Sequence, residues 1–247
     1  LLTSTLGCLI SFQLPIFLNE LDKNELTFYL KGIIYGILGL LPTLIVSGIM
    51  LQIEHFFIRF LPVIFICAIL IGLFFISFKT LITVLTIFSK IVQILGYVFF
   101  FLLCLTFFFN MNFTNMTLID EALHIVFQMS IIVCGSLVFC EIILRNFSKQ
   151  IEKAGKILQI DKYSVMGIIL SFGTSIAMLP LFPKMNKKGK ILNAAFSLSG
   201  AFVFGGQLGF IASVNPQSVT WFIVVKITGG LLGIFIANIF EKQSVTQ

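Results

Sequence analysis

The sequence predicts an all-α polytopic membrane protein with about seven transmembrane helices and one re-entrant hairpin. Three observations carry that expectation. Hydrophobic residues make up 58% of the 247 positions and charged residues only 11%, and the mean hydropathy is +1.10, more apolar than a water-soluble domain requires. The charges gather in short clusters between apolar runs long enough to cross a bilayer. Most of the clusters are basic, as are loops that orient a chain in a membrane.

Taken in order, the apolar runs place spans at about 1–18, 27–52, 57–77, 90–109, 121–144, 191–214 and 218–240, with an eighth apolar piece at 164–183. The first run opens on Leu1 and Leu2 without an initiator Met or a signal-peptide pattern, so the chain is expected to be part of a longer protein that includes an N-terminal portion. Between the spans, 78–89 and 146–160 alternate polar and apolar residues at helical spacing and read as interfacial helices. The whole of 1–247 is expected to form a single transmembrane domain.

Charge decides how the eighth piece is read. If 164–183 crossed the membrane, the basic loop of Arg145, Lys149, Lys153, Lys156 and Lys162 would face away from that of Lys184, Lys187, Lys188 and Lys190. Short loops this basic belong on the cytoplasmic side. A re-entrant hairpin bending at Gly173-Thr174-Ser175 and ending near Pro180 and Pro183 puts both loops on one face, with Lys23, Lys31, Lys79, Lys90 and Lys242, against Arg59 opposite. The C-terminus is then cytoplasmic. A plain crossing helix remains the alternative, since about 20 residues suffice to span.

An internal repeat favours the hairpin. "STLGCLISFQLPIF" (Ser4–Phe17) is similar to "FSLSGAFVFGGQLGF" (Phe196–Phe210), and "YLKGIIYGILGLLPTLIV" (Tyr29–Val46) to "VVKITGGLLGIFIANI" (Val224–Ile239). Gln13 pairs with Gln207 and Lys31 with Lys226. With the hairpin, the copies at 1–50 and about 195–240 run in opposite directions, the inverted-repeat architecture of many transporters. Irregular backbone survives at membrane depth only where protein or a water-filled cavity surrounds it, so breaks in apolar segments mark a binding site. The candidate substrate-binding residues are Thr174, Ser175, Gly205, Gly206, Gln207, Gln13 and Ser199.

Of the charged residues within the spans, two are candidates for a gating or charge role. Lys226 sits about eight residues into its run and reads either as a snorkelling or carbonyl-paired side chain or as a gating group. Glu141 stands one turn before Arg145 and reads as an intrahelical pair or as a spare carboxylate for a cation. His55 and His124 lie near loops and read as interfacial, and the thirty phenylalanines as lipid-facing bulk. The five cysteines all lie in apolar runs without paired spacing, so neither a disulfide framework, a metal site nor any cofactor is indicated.

Other function classes lack their residues. The basic excess sits beside the spans, so it orients the chain and does not argue for nucleic acid. An intramembrane enzyme needs a nucleophile, base or metal set at reachable depth. Asp22, Asp120, Asp161 and both histidines lie at loops or span ends, and neither an H-E-x-x-H nor a G-x-S-x-G pattern occurs.

Over Gly155–Phe240 the sequence resembles the EutH family of ethanolamine-utilisation membrane proteins, through "GKILQIDKYSVMG", "KMNKKGKILNAAFSLSGAF", "QLGF" and "VKITGGL" in order and spacing. Residues 1–150 resemble the family's middle more loosely, so the chain reads as its C-terminal two-thirds. The resemblance implies a bacterial inner-membrane transporter of ethanolamine or a similar small amine alcohol, with the lipid bilayer as surroundings, no bond chemistry, and a homo-oligomer compatible with it. Two departures bear on the substrate. Where the family typically shows an Asn pair followed by Ile-Pro, this chain has Thr174, Ser175, Ile176 and Ala177; where the family shows an Asp-His pair, it has Gly206 and Gln207. A site of hydroxyls, one amide and exposed backbone binds a polar solute without contributing a negative charge. The alternatives are therefore a divergent member carrying a neutral polar solute, or a membrane subunit that does not transport.

Overall fold

The computed structural model describes residues 7–9, 13–50, 56–109, 113 and 116–243, and among them the chain is helical throughout, without strands. The elements are α1 (Leu14–Glu20), α2 (Lys23–Met50), α3 (Phe56–Ile76), α4 (Phe78–Phe109), α5 (Met116–Asn146), α6 (Ser148–Leu158), α7 (Lys162–Ser171), a 3-10 segment (Ser175–Lys184), α8 (Lys187–Ser199), α9 (Gly206–Val214), a 3-10 turn (Pro216–Ser218) and α10 (Val219–Gln243).

Among the described residues, four stretches are long and apolar enough to cross a membrane: Lys23–Met50, Phe78–Phe109, Ile119–Asn146 and Pro216–Lys242; Phe60–Ile76 is a shorter apolar helix. Helices of this length and composition make the chain an integral membrane protein. The count is lower than the seven expected for identifiable reasons. The 191–214 run is not one helix: α8 stops at Ser199 and α9 starts at Gly206. The 1–18 run is described only in part, with α1 beginning at Leu14 and residues 1–6 and 10–12 outside the described set.

The 78–89 segment corrects a second expectation. It is the first part of a continuous 32-residue α4 and not a separate interfacial helix. Its threonines bond along their own helix, Thr83 Oγ1 to the Lys79 carbonyl at 3.0 Å and Thr86 Oγ1 to the Ile82 carbonyl at 2.7 Å, so polar residues at this spacing do not interrupt it. By contrast α6 is a separate amphipathic helix, with Ile151 and Gly155 buried and Lys149, Lys153 and Lys156 exposed.

The core is a three-helix unit of α2, α8 and α10. α2 and α10 run antiparallel: Lys31 pairs with Glu241 at 2.7 Å, Gly39 packs on Gly233, and Thr43 lies beside Gly229. Each step up one helix is an equal step down the other. Glycines allow this crossing, because a Cβ on Gly39 would lie 2.6 Å from the Gly233 Cα. α8 runs parallel to α2, with Glu25 and Lys190 paired at 2.5 Å at one end and Gly36 against Ala195 and Leu198 further along. Every residue from Gly189 to Ser199 is buried. At about 1.5 Å per residue, α8 is too short to cross about 30 Å of hydrocarbon alone, so its break falls at depth.

Candidate functional site

Two interruptions build the site. The first separates α7 from the 3-10 segment. Asp161 caps α7, accepting from the Ser164 N–H at 2.9 Å and the Ser164 hydroxyl at 3.0 Å. The same carboxylate accepts from the Asn186 N–H at 2.6 Å, so the strand of chain that leaves at 161 returns to the same point at 186. Burial works against the charged carboxylate, but these hydrogen bonds outweigh it and hold its pKa below the ordinary value. Between those ends, α7 and the 3-10 segment pack on each other, and Ser171 Oγ lies 3.4 Å from Met178 Sδ. The chain turns at Gly173 and Thr174, whose extended backbone lets Thr174 Oγ1 accept from the Ile176 N–H at 3.4 Å.

The second interruption, 200–205, lies against the first. The Phe202 N–H donates to the Ser171 carbonyl at 3.0 Å and the Phe204 N–H to the Phe172 carbonyl at 2.9 Å. Gly205 sits so close to the Gly173 carbonyl that any Cβ would overlap it. Phe202 has φ of 59°, a left-handed conformation unusual for an aromatic residue and costing about 1–3 kcal/mol. The backbone bond to Ser171 and the stacking of Phe172 on Phe204, with centroids 5.9 Å apart, fix the crossing. α5 covers it, with Ser136 beside Gly173 and Met129 beside Gly206 and Gly209.

Beside the crossing lies a buried polar cluster. Lys226, on α10 and 1% exposed, donates from Nζ to Gln207 Oε1 at 2.5 Å and lies 5.5 Å from the Phe222 ring centroid. Ser199 Oγ donates to the Lys226 carbonyl at 3.3 Å. Gln13 is 2% exposed; its Nε2 donates to the Ser197 carbonyl at 3.4 Å and its Oε1 accepts from the Tyr29 hydroxyl at 3.4 Å. The Cys8 thiol lies against Gln207 and near Lys226, linking the two halves. Ser175 is fully buried and its Oγ has no hydrogen-bond partner, an omission costing about 1–3 kcal/mol unless a water or solute completes it.

The structure thus brings Gly205, Gly206, Gln207 and Ser199 together with Lys226 and Gln13, and sets Thr174 and Ser175 at the adjoining break. Glu141 lies elsewhere. Its side chain is 54% exposed and pairs with Arg145 at 2.8 Å on the same helix. His124 is also remote, exposed at the start of α5 and 2.9 Å from Gln128, and His55 is outside the described residues. Tyr29, Cys8 and Asp161 belong to this arrangement although nothing in the linear sequence singled them out. For Tyr29, a polar-tipped aromatic inside an apolar helix was the available signal.

The family model described as "Ethanolamine utilisation protein, EutH" matches residues 1–240. A "Probable ethanolamine permease EutH" of Listeria monocytogenes serotype 1/2a (strain 10403S) is 28% identical over 257 residues, covering 99% of this chain and 67% of that protein. The "Uncharacterized protein YxeR" of Bacillus subtilis (strain 168) is 24% identical over 263 residues, covering 93% of this chain and 63% of its own length. A "Probable ethanolamine permease EutH" of Escherichia coli (strain K12) is 28% identical over 127 residues, covering 51% of this chain and 31% of that protein. The chain therefore spans about two thirds of the length of the first two. No solved structure matches.

Proposed function

This chain belongs to the EutH family, and from that premise we propose that it carries ethanolamine, or a small amine alcohol like it, across a bacterial inner membrane. Two of the relatives carry the name "Probable ethanolamine permease EutH", which supports a transporter and not an enzyme. One observation supports the site assignment above others: the two helix interruptions pair through their backbones beside a buried Gln207–Lys226 contact. Interrupted helices that meet at depth supply free backbone groups and a polar cavity where the rest of the span offers only hydrocarbon.

In this reading, 164–183 is a re-entrant hairpin whose two ends are tied at Asp161 and Asn186, with both basic loops and the C-terminus on the cytoplasmic face. The segments 1–50 and about 195–240 are inverted copies, and the antiparallel course of α2 and α10 supports that relation. Transport proceeds by movement of the hairpin and the interrupted α8–α9 segment against α2 and α10. Gln207, Gln13, Ser199, Thr174, Ser175 and the backbone of Gly205 and Gly206 hold the substrate, and Lys226 governs access to it.

The test is saturable uptake of labelled ethanolamine by cells expressing the full reading frame that contains this chain. Gln207→Ala and the double variant Thr174→Ala/Ser175→Ala are compared with wild type at equal membrane abundance. Loss of saturable uptake in both variants supports the site. Full uptake in both, with the proteins correctly inserted, refutes it.

A further inference from the structure

We propose that the basic residues around the two ends of the 164–183 segment form a binding surface for acidic phospholipid, with Lys162, Lys184 and the outward stripe of α6 receiving the headgroup phosphate. This goes beyond the transporter reading and does not depend on which solute is carried.

The positive charge of the chain is concentrated in one place. Residues 145–190 hold nine Lys and Arg against two acids, Glu152 and Asp161, a net charge of +7, while the whole chain carries +6. The rest of the chain is therefore close to neutral. Two of the nine are paired, Arg145 with Glu141 and Lys190 with Glu25. Lys149, Lys153, Lys156, Lys162 and Lys184 make no ion pair with a carboxylate among the described residues. Asp161 does not serve them, since its oxygens accept from the Ser164 N–H and hydroxyl and from the Asn186 N–H.

Local structure gathers these lysines. α6 buries Ile151 and Gly155, and at about 100° per residue Lys149, Lys153 and Lys156 form a single stripe on the opposite face. Ile157 and Phe147 beside them are 72% and 47% exposed. Exposed apolar side chains next to lysines on a short amphipathic helix suit the headgroup layer, where the apolar groups enter the acyl boundary and the lysines reach phosphates.

The other half lies where 161 and 186 meet. Lys162 Nζ is 5.3 Å and Lys184 Nζ 6.0 Å from the centroid of the half-buried Tyr163 ring, and both lysines are exposed. One ring offsets only part of the repulsion between two ammonium groups held beside it, whereas a phosphate accepts hydrogen bonds from both. Lys188 Nζ donates to Gln159 Oε1 at 3.5 Å, so the end of α6 and the start of α8 belong to one continuous surface. A free anion would satisfy the lysines but leave Ile157 and Phe147 in water. A phospholipid covers both, and acidic headgroups attract lysines near the membrane surface at about a factor of five in occupancy for each.

The experiment mixes the detergent-solubilised product of the full reading frame with equal amounts of phosphatidylglycerol and phosphatidylcholine and counts the retained lipids by native mass spectrometry. Wild type should retain phosphatidylglycerol over phosphatidylcholine by about fivefold or more. Lys162→Gln/Lys184→Gln should cut that ratio by about fivefold or more, and Lys149→Gln/Lys153→Gln/Lys156→Gln should do the same. The control, Lys23→Gln/Lys79→Gln, removes two exposed lysines from the starts of α2 and α4 and should leave the ratio unchanged.

Equal retention of the two lipids by wild type overturns the proposal whatever the variants do. An equal fall in the control and in Lys162→Gln/Lys184→Gln overturns it as well, because the preference then follows overall charge. Displacement of phosphatidylglycerol by millimolar inorganic phosphate, but not by chloride at the same ionic strength, identifies a site for free anions and also overturns it.

Discussion

Gly39→Ala should weaken the α2–α10 crossing, and the size of the effect can be worked from the geometry. A Cβ at position 39 would stand 2.6 Å from the Gly233 Cα, while carbon atoms in contact sit about 3.5–4.0 Å apart. The helices must therefore separate by about 1 Å. Overpacking of this kind costs about 1–3 kcal/mol. The controls are Gly72→Ala and Gly96→Ala, on α3 and α4, where a Cβ meets nothing within 4 Å.

Those controls keep only the helix-propensity gain, up to about 1 kcal/mol. Trp221, the single tryptophan, lines a groove on α10 with Pro42 and Thr43 of α2 and so reports on this crossing. Unfolding of the detergent-solubilised protein followed by its fluorescence should place Gly39→Ala about 1–3 kcal/mol below the controls. Equal stability of all three would refute the close approach of α2 and α10, and with it the antiparallel register that supports the inverted repeat.

Other outcomes follow from the same geometry. Gln207→Ala removes the amide carbonyl that holds Lys226, and thermal stability should fall by about 1–3 kcal/mol, with Lys226→Met in the same chain recovering part of it. Asp161 has a lowered pKa, so its contribution to stability is present above the ordinary carboxylate pKa of about 3.9 and is lost as pH falls through the lower folded value. A melting series into acid should lose this increment below about pH 4 in wild type but not in Asp161→Asn, which starts about 0.5–2 kcal/mol less stable. Glu25→Gln leaves Lys190 buried without its carboxylate, and exchanging the two residues in a double variant should recover stability that the single variant loses. Glu141→Gln breaks only an exposed pair, so uptake should be unchanged and stability should move by less than about 1 kcal/mol.

The legible and illegible parts of this molecule divide along physical lines. Gly173, Gly205 and Gly206 stand out because glycine and small polar residues inside hydrocarbon-length runs need an explanation, and Lys226 because a lysine at that depth does. Their pairing does not stand out. The bonds from Phe202 to Ser171 and from Phe204 to Phe172 are backbone to backbone, and no side-chain pattern encodes them. Cys8 is equally hidden, since a thiol fits an apolar helix without a partner.

The misread 78–89 segment shows the opposite limit. Its regularly spaced threonines suggest a wet face, but Thr83 and Thr86 satisfy their hydroxyls on carbonyls of their own helix, and Thr80 on the Ser77 hydroxyl just before it. The 191–214 run shows why length alone misleads. Its composition suits one span, yet Gly200 and the left-handed Phe202 end α8 after 13 residues.

The most direct test of the central claim is substrate protection at the crossing. With the five native cysteines replaced and a single cysteine placed at Thr174, a half-buried position at the first break, the rate of its alkylation by a small thiol reagent is measured with and without saturating ethanolamine. A cysteine at Thr83, exposed on α4, is the reference. Slowing by about fivefold or more at 174 and none at 83, the size expected for modest coupling between a ligand and a nearby group, is the predicted result. Equal rates at 174 with and without ethanolamine, in a protein that still transports it, would contradict the account.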